Sequence, residues 1–368
     1  MTAACAHDEA ALLRLVETTL ENRRRAGLDG LVGDLAAVVV NVAPTDVLPA
    51  ARELIATTAL EAVAALEDPL AADGGPCLLL RDGLGADFLV KSRPRGANPF
   101  APYNTGAKTG PDAPARLETF VFVCQDVRAY WRLQRERGVA FLTEAPLETD
   151  TFAFIQTVPS VHTGNSLGCI QWKRRPGAFT HGASRTLDLP LPAKPAEAWL
   201  GRIKGLDHVA TRVRAGDRNA AIAEFLVLTN YRFDFAVYVE SLNSITSVAR
   251  LGPGDYAQVF TSGIVPLTAG DAATAGPTEG FIANYGVRPH HAAFAVSGIE
   301  EAVAGLAGTG LGFLSDLVGS PEEGLKQIFS AMSPTTLLVN EYIERYDGFD
   351  GFFTKSNVTH LTRATEKQ

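Results

Sequence analysis

The sequence has no excess of basic residues, no long apolar run and no paired cysteines, and each absence closes a class of function. Its 368 residues carry 33 Lys and Arg against 41 Asp and Glu, a formal charge of −8. Non-specific nucleic-acid binding needs a basic surface, so no nucleic-acid partner is expected. No apolar run approaches the roughly 18 residues that would span a bilayer, so no membrane partner is expected either. The opening "MTAACAHDEAALLRLVETTL" lacks the basic-then-apolar layout of a signal peptide, and the expected location is cytoplasmic. The four cysteines, Cys5, Cys77, Cys124 and Cys169, include no C-x-x-C pair. Their spacing suggests neither a zinc site nor a disulfide framework, which leaves reduced thiols.

What is present suits a core of good size. Hydrophobic residues make up 46% and charged residues 20%, and the length fits two domains. Residues 8–27 read as an amphipathic helix with Leu12, Leu13, Val16 and Leu20 on one stripe. A strand ("AAVVVNVAP") follows, then a helix over the whole of "DVLPAARELIATTALEAVAALED" with Asp46 as N-cap. "PCLLLRDGLGADFLVKS" reads as a hairpin, and "ETFVFVCQDVRAYWRLQRERGVAFLTEAP" as strand, helix, strand. Residues 174–200 are rich in Pro, Gly and Ser, and 176–200 is the expected linker. The second half repeats the cadence of the first. "FVFVCQDVRAYWRLQRERGVAFLTE" and "FAVSGIEEAVAGLAGTGLGFLSD" both run strand, turn, helix, Gly, strand. The expected class is α+β, built from tandem βαβββ units that close two open-barrel cups. The domain plan is an N-terminal helix (1–29), a first cup (30–175), the linker and a second cup (201–368).

Three ionisable residues of the second half fall at inward strand positions: His208 in "LDHVATRV", His291 in "HHAAFAV" and Glu341 in "LLVNEYIER". Alternation puts Glu341 on one face with Val339 and Ile343, where an unpaired carboxylate costs several kcal/mol and a divalent cation removes that cost. An isolated strand histidine is more often an ordinary hydrogen-bonded residue. Two imidazoles and a carboxylate at matching places form the open triad of non-haem Fe(II) oxygenases. By the same alternation His290 faces away from His291. Glu344 faces away from Glu341, exposed or paired with Arg345. His162 reads as a loop residue. Superposing the repeats sets Ala37 against His208 and Thr119 against His291, so one metal per chain is expected, in the second half.

These segments resemble the vicinal oxygen chelate superfamily. Residues 201–360 are similar in particular to the family of 4-hydroxyphenylpyruvate dioxygenase and 4-hydroxymandelate synthase. "GLDHVA" and "FIANYGVRPHHAAFAV" resemble the segments around its two iron histidines. "SPEEGLKQIFS" resembles the strand whose active-site glutamine matches Gln327. "EYIERYDGFDGFF" resembles the run from the glutamate ligand to the C-terminal gating helix, whose pocket phenylalanine matches Phe353.

The resemblance implies two glyoxalase-like domains, the first degenerate and metal-free. It implies Fe(II), a 2-oxo acid and O₂, with oxidative decarboxylation coupled to hydroxylation of the same molecule. Gln327 and Phe353 are the implied catalytic residues, and Asn243, Ser244, Thr246, Ser262, Phe349 and Phe352 the further substrate contacts. The chain departs from the family in three places. The stretch between the second histidine and Gln327 is shorter. Ser262 stands where a substrate-contacting Asn would fall, and Phe352 replaces a polar residue. A homodimer is expected. The competing readings on the same cup are an extradiol dioxygenase, a metal-dependent isomerase and a non-catalytic small-molecule binder. Extradiol cleavage needs a histidine beside the iron, an isomerase a further inward carboxylate, and a binder would lack the triad.

Overall fold

The computed structural model describes residues 9–71, 74–93, 98–109, 114–182, 186–267 and 275–368. The first eight residues of the N-terminal segment, Cys5 among them, and 183–185 of the expected linker lie outside these. Helix α1 (Glu9–Arg25) buries Leu12 and Val16. Its Arg23 is buried and donates to the carbonyls of Leu226, Thr229 and Tyr231, which fastens the helix to the second half.

The first half runs β1 (Val32–Asn41), α2 (Val47–Thr57), β2 (Glu61–Glu67), β3 (Pro76–Arg81) and β4 (Asp87–Lys91). A second such unit follows: β5 (Arg116–Cys124), α3 (Val127–Glu136), β6 (Leu147–Glu148), β7 (Phe152–Gln156) and β8 (Ser166–Trp172). The second half repeats the plan with β9 (Ile203–Arg212), α4 (Arg218–Leu228), β10 (Arg232–Val239), β11 (Ser244–Arg250) and β12 (Ala257–Ser262). Helix α5 (Gly276–Tyr285) is inserted before β13 (Arg288–Val296), α6 (Ile299–Gly308), β14 (Val318–Ser320), β15 (Leu325–Phe329), β16 (Val339–Arg345) and α7 (Lys355–Ala364). Each half forms one curled eight-stranded sheet, in the orders β2-β3-β4-β1-β5-β8-β7-β6 and β10-β11-β12-β9-β13-β16-β15-β14. The architecture is α+β, with two tandem glyoxalase-like cups.

Three local readings of the sequence are corrected. The helix read over residues 46–68 ends at Thr57, and Glu61–Glu67 is an edge strand paired with β3. The Thr57 and Thr58 hydroxyls donate back to the Glu53 and Leu54 carbonyls and close the helix. Ala- and Leu-rich composition favours helix, but sheet pairing overrides so weak a preference. Asp46 does occupy the N-cap of α2, without a side-chain capping bond. The strands read in "VAFLTE" and "GFLSD" shrink to single bridges, Phe141 to Thr157 and Phe313 to Ser330. Helix α5 was not foreseen, because "GPTEGFIANY" opens with two helix breakers, though Pro is tolerated in a first turn.

One apolar core crosses both halves. Phe122 on β5 meets Phe225 on α4 and Tyr231, and Phe88 on β4 stacks on Phe294 on β13. The first cup is filled: Ala37, Val39, Leu89, Val121, Phe152, Phe154 and Ile170 pack inside it. Pair registers place Ala37, Thr119 and Gly168 where the second half has His208, His291 and Glu341. A Cβ on Gly168 would stand 2.8 Å from the Phe154 ring and 3.2 Å from Val121. A side chain there would have to displace Phe154, and these three positions of the first cup carry none of the ligand-type residues found in the second.

Candidate metal centre

The second sheet brings His208, His291 and Glu341 together from β9, β13 and β16. All three are buried, with ligand atoms within 4.8 Å of one another. The pairing explains the convergence. His208 pairs with Ala293, and Ala293 with Glu341, so these side chains share one row across the sheet, with His291 in the next inward row. The Nε2 atoms of both histidines lie 3.2 Å from the same Glu341 oxygen. His208 Nε2 is nonetheless buried without a hydrogen-bond partner. Two imidazole nitrogens and a carboxylate oxygen aimed at one point, one of them orphaned, fit a divalent cation.

The charges are tuned by contact. Burial works against the His208 cation, but the adjacent Glu341 and Asp207 carboxylates outweigh it and raise the imidazole to about 9. Burial likewise opposes the Glu341 charge, and the two imidazoles outweigh it and lower the carboxyl to about 2. His291 is lowered, chiefly by burial. Asp207 supports the first ligand: its carboxylate lies 2.8 Å from His208 Nδ1 and is held by both ends of the Arg345 guanidinium. This fixes the tautomer that leaves Nε2 free. Asp207→Asn is therefore expected to lower metal affinity ~10–100-fold, measured by competition with a chelator dye, while the unloaded fold persists.

Gln327 also acts on a ligand. Its Nε2 donates to Glu341 Oε1 and to the Phe352 carbonyl, each at 2.6 Å, and its Oε1 accepts from Asn357 on α7. In this arrangement it positions the carboxylate and ties it to the C-terminal segment.

His290 contradicts the alternation argument. Pro289 pairs with Thr211 and His291 with Ala210, so two steps on β13 oppose one on β9. This bulge brings both histidines to the cup. His290 Nδ1 lies 2.8 Å from His291 Nδ1, and its Nε2 lies 2.7 Å from Gln368 Oε1. It stands behind His291, on the side remote from the ligand nitrogen.

The remaining expected residues divide. Thr246 and Phe353 line the cup. Phe352 covers the His208 ring at 5.3 Å, edge to face. Asn243, Ser262, Phe349 and Ser244 do not line it. The Asn243 amide is bonded to the backbone of Ile264, Val265 and Ala275. Ser262 donates to the Gly263 carbonyl, and the inward neighbour on β12 is Thr261. Phe349 packs on Ala293, Leu325 and Ile343. Ser244 is buried, with its hydroxyl unpartnered. His162 faces Asp217 at 3.0 Å, away from the cup. Glu344 does not pair with Arg345; it accepts from the Gly298 and Ile299 amides at the start of α6, where the helix dipole favours a carboxylate. Sequence reading missed Arg212, Thr261 and Phe329, which also line the cup. Arg212 was within reach of it, since positions 208, 210 and 212 share a strand face.

Two paired eight-stranded cups give this chain the vicinal oxygen chelate fold. Among solved structures it is similar to a mutant of 4-hydroxymandelate synthase from Streptomyces coelicolor (TM-score 0.67, 18% identity, covering 92% of this chain and 99% of that one). It is also similar to a xylose isomerase-like TIM barrel/4-hydroxyphenylpyruvate dioxygenase fusion protein (TM-score 0.63, 14% identity), covering 97% of this chain and 57% of that one. A Mn(II)-bound glyoxalase from Novosphingobium aromaticivorans matches with TM-score 0.50 and 11% identity, over 88% of this chain and 87% of that one. No family model and no curated protein matches the sequence. No helix among the described residues is long and apolar enough to cross a membrane.

Proposed function

We propose that the protein is an Fe(II)-dependent dioxygenase that decarboxylates a 2-oxo acid and hydroxylates the remainder of the same molecule. The observation that carries this reading is the convergence of His208, His291 and Glu341, with an orphaned Nε2, in the one cup that is not filled with apolar side chains. The likeness to structures of 4-hydroxymandelate synthase and a 4-hydroxyphenylpyruvate dioxygenase fusion supports it. Bound Fe(II) would supply open positions for a chelating 2-oxo acid and for O₂.

The reaction balances without an external reductant. The bond between keto and carboxyl carbons breaks and CO₂ leaves. One oxygen atom enters the new carboxylate, and the other enters a C–H bond as hydroxyl.

The chain's own residues orient and shield. Asp207 and Gln327 hold two of the ligands, and Phe353, Val358 and Leu361 close the cup from the C-terminal side. The cavity measures about 40 Å³, little more than one water molecule's share of the liquid. Binding of a 2-oxo acid would therefore need the walls of the cup to give, and α7, which contributes Val358 and Leu361, is one of them.

The bulge that brings His290 to the cup favours extradiol cleavage as the second reading. Both of its ring nitrogens are engaged, however, and it lies behind a ligand.

Protein loaded anaerobically with Fe(II) is expected to take up O₂ with an aromatic or aliphatic 2-oxo acid and release one CO₂ per O₂. Stoichiometric bound metal without uptake for any 2-oxo acid would remove this reading in favour of extradiol or isomerase chemistry.

A further inference from the structure

The inner face of the second cup has a polar band beyond the ligands. Thr246, Thr261 and Arg212 are consecutive partners across β11, β12 and β9, and all three line the cup. Arg212 lies four residues beyond His208, about 13 Å along the strand. Its guanidinium is buried over the Phe281 ring and donates to two neutral acceptors, the Pro277 carbonyl and the Thr365 hydroxyl. Other N–H groups of its fork remain for a ligand. Among the described residues no Asp or Glu pairs with it, and the Thr246 and Thr261 hydroxyls form no hydrogen bond. Burial alone lowers the guanidinium to about 9, with no carboxylate among the described residues opposing the effect.

The first half shows the compensated version of this row. There the matching positions are Cys77, Lys91 and Asn41. Lys91 has Asp68 at 2.6 Å and Glu118 at 3.4 Å. The second cup keeps a buried cation, and among the described residues no carboxylate pairs with it. A buried charge without a counter-ion is costly unless something supplies one. A divalent ion, Glu341 and Arg212 together leave two positive charges, which a dianion neutralises.

We propose that the substrate is a 2-oxo acid with a second carboxylate at its far end, and that Arg212, flanked by Thr246 and Thr261, recognises that carboxylate. The proposal rests on the 2-oxo-acid reading of the metal centre.

The test is anaerobic calorimetry on the Fe(II)-loaded protein with matched pairs: 2-oxoglutarate against 2-oxopentanoate, and 4-carboxyphenylpyruvate against phenylpyruvate. In at least one pair the diacid is expected to bind at least about tenfold more tightly, as a charged hydrogen bond is worth. Arg212→Met should remove that preference, lowering diacid affinity by much more than monoacid affinity. Arg212→Lys, which keeps the charge but loses the fork, should retain part of it and serves if the methionine variant does not fold. Equal binding of both members in both pairs overturns the inference alone. A preference that survives either substitution in full overturns the role of Arg212. Binding of no 2-oxo acid at all overturns the functional reading, and the inference with it.

Discussion

Glu341→Ala is expected to empty the metal centre and abolish O₂ uptake. Among the described residues Glu341 is the only carboxylate of the candidate triad, and both histidine Nε2 atoms lie 3.2 Å from one of its oxygens. Without it a cation would face two neutral imidazoles. The loss of metal affinity should exceed the roughly 10–100-fold that outer-sphere partners cost. Metal content after dialysis is expected to fall from one ion per chain to a small fraction, with the circular dichroism spectrum unchanged. Glu341→Gln should behave similarly, because it keeps the shape and loses the charge. Full metal content in either variant would show that the ion sits elsewhere.

The largest loss of stability is expected for Phe122→Ala, about 3–5 kcal/mol. Phe122 is fully buried on β5, with ring centroids 5.9 Å from Phe225 and 5.4 Å from Tyr231. The first of its partners belongs to α4 and the second follows that helix, so the cavity would open between the halves. The shared core predicts that both halves unfold together. Denaturant unfolding followed by tryptophan fluorescence and by circular dichroism should give coincident transitions, shifted together in the variant. Separate transitions, or a shift confined to one probe, would show that the halves are independent.

The repeat and the triad were legible in the sequence for a physical reason. Strands alternate with period two, and a carboxylate at an inward position such as Glu341 stands out against Val339 and Ile343. The same cadence in both halves made the comparison of Ala37 with His208 and of Thr119 with His291 possible, and the pair registers place those residues together. Where the reading failed, the deciding contact was distant in sequence. The segment 61–67 has helix-favouring composition and becomes a strand because β3 offers it an edge. His290 should face away by alternation and reaches the cup because β13 bulges against β9. Asn243 and Ser262 looked like substrate contacts by position, yet their side chains are spent on backbone groups.

The sequence by itself determined the period of its strands, the two-fold plan and the three residues able to hold a cation, because these depend on residue type and spacing along one chain. The tertiary structure alone decided which cup is open, through Phe154 filling the space beside Gly168. It also decided which groups steady the candidate ligands, and that Arg212 is buried in the same cup with no Asp or Glu paired to it among the described residues. Those properties depend on which side chains meet across strands far apart in the chain, and local pattern carries no record of that.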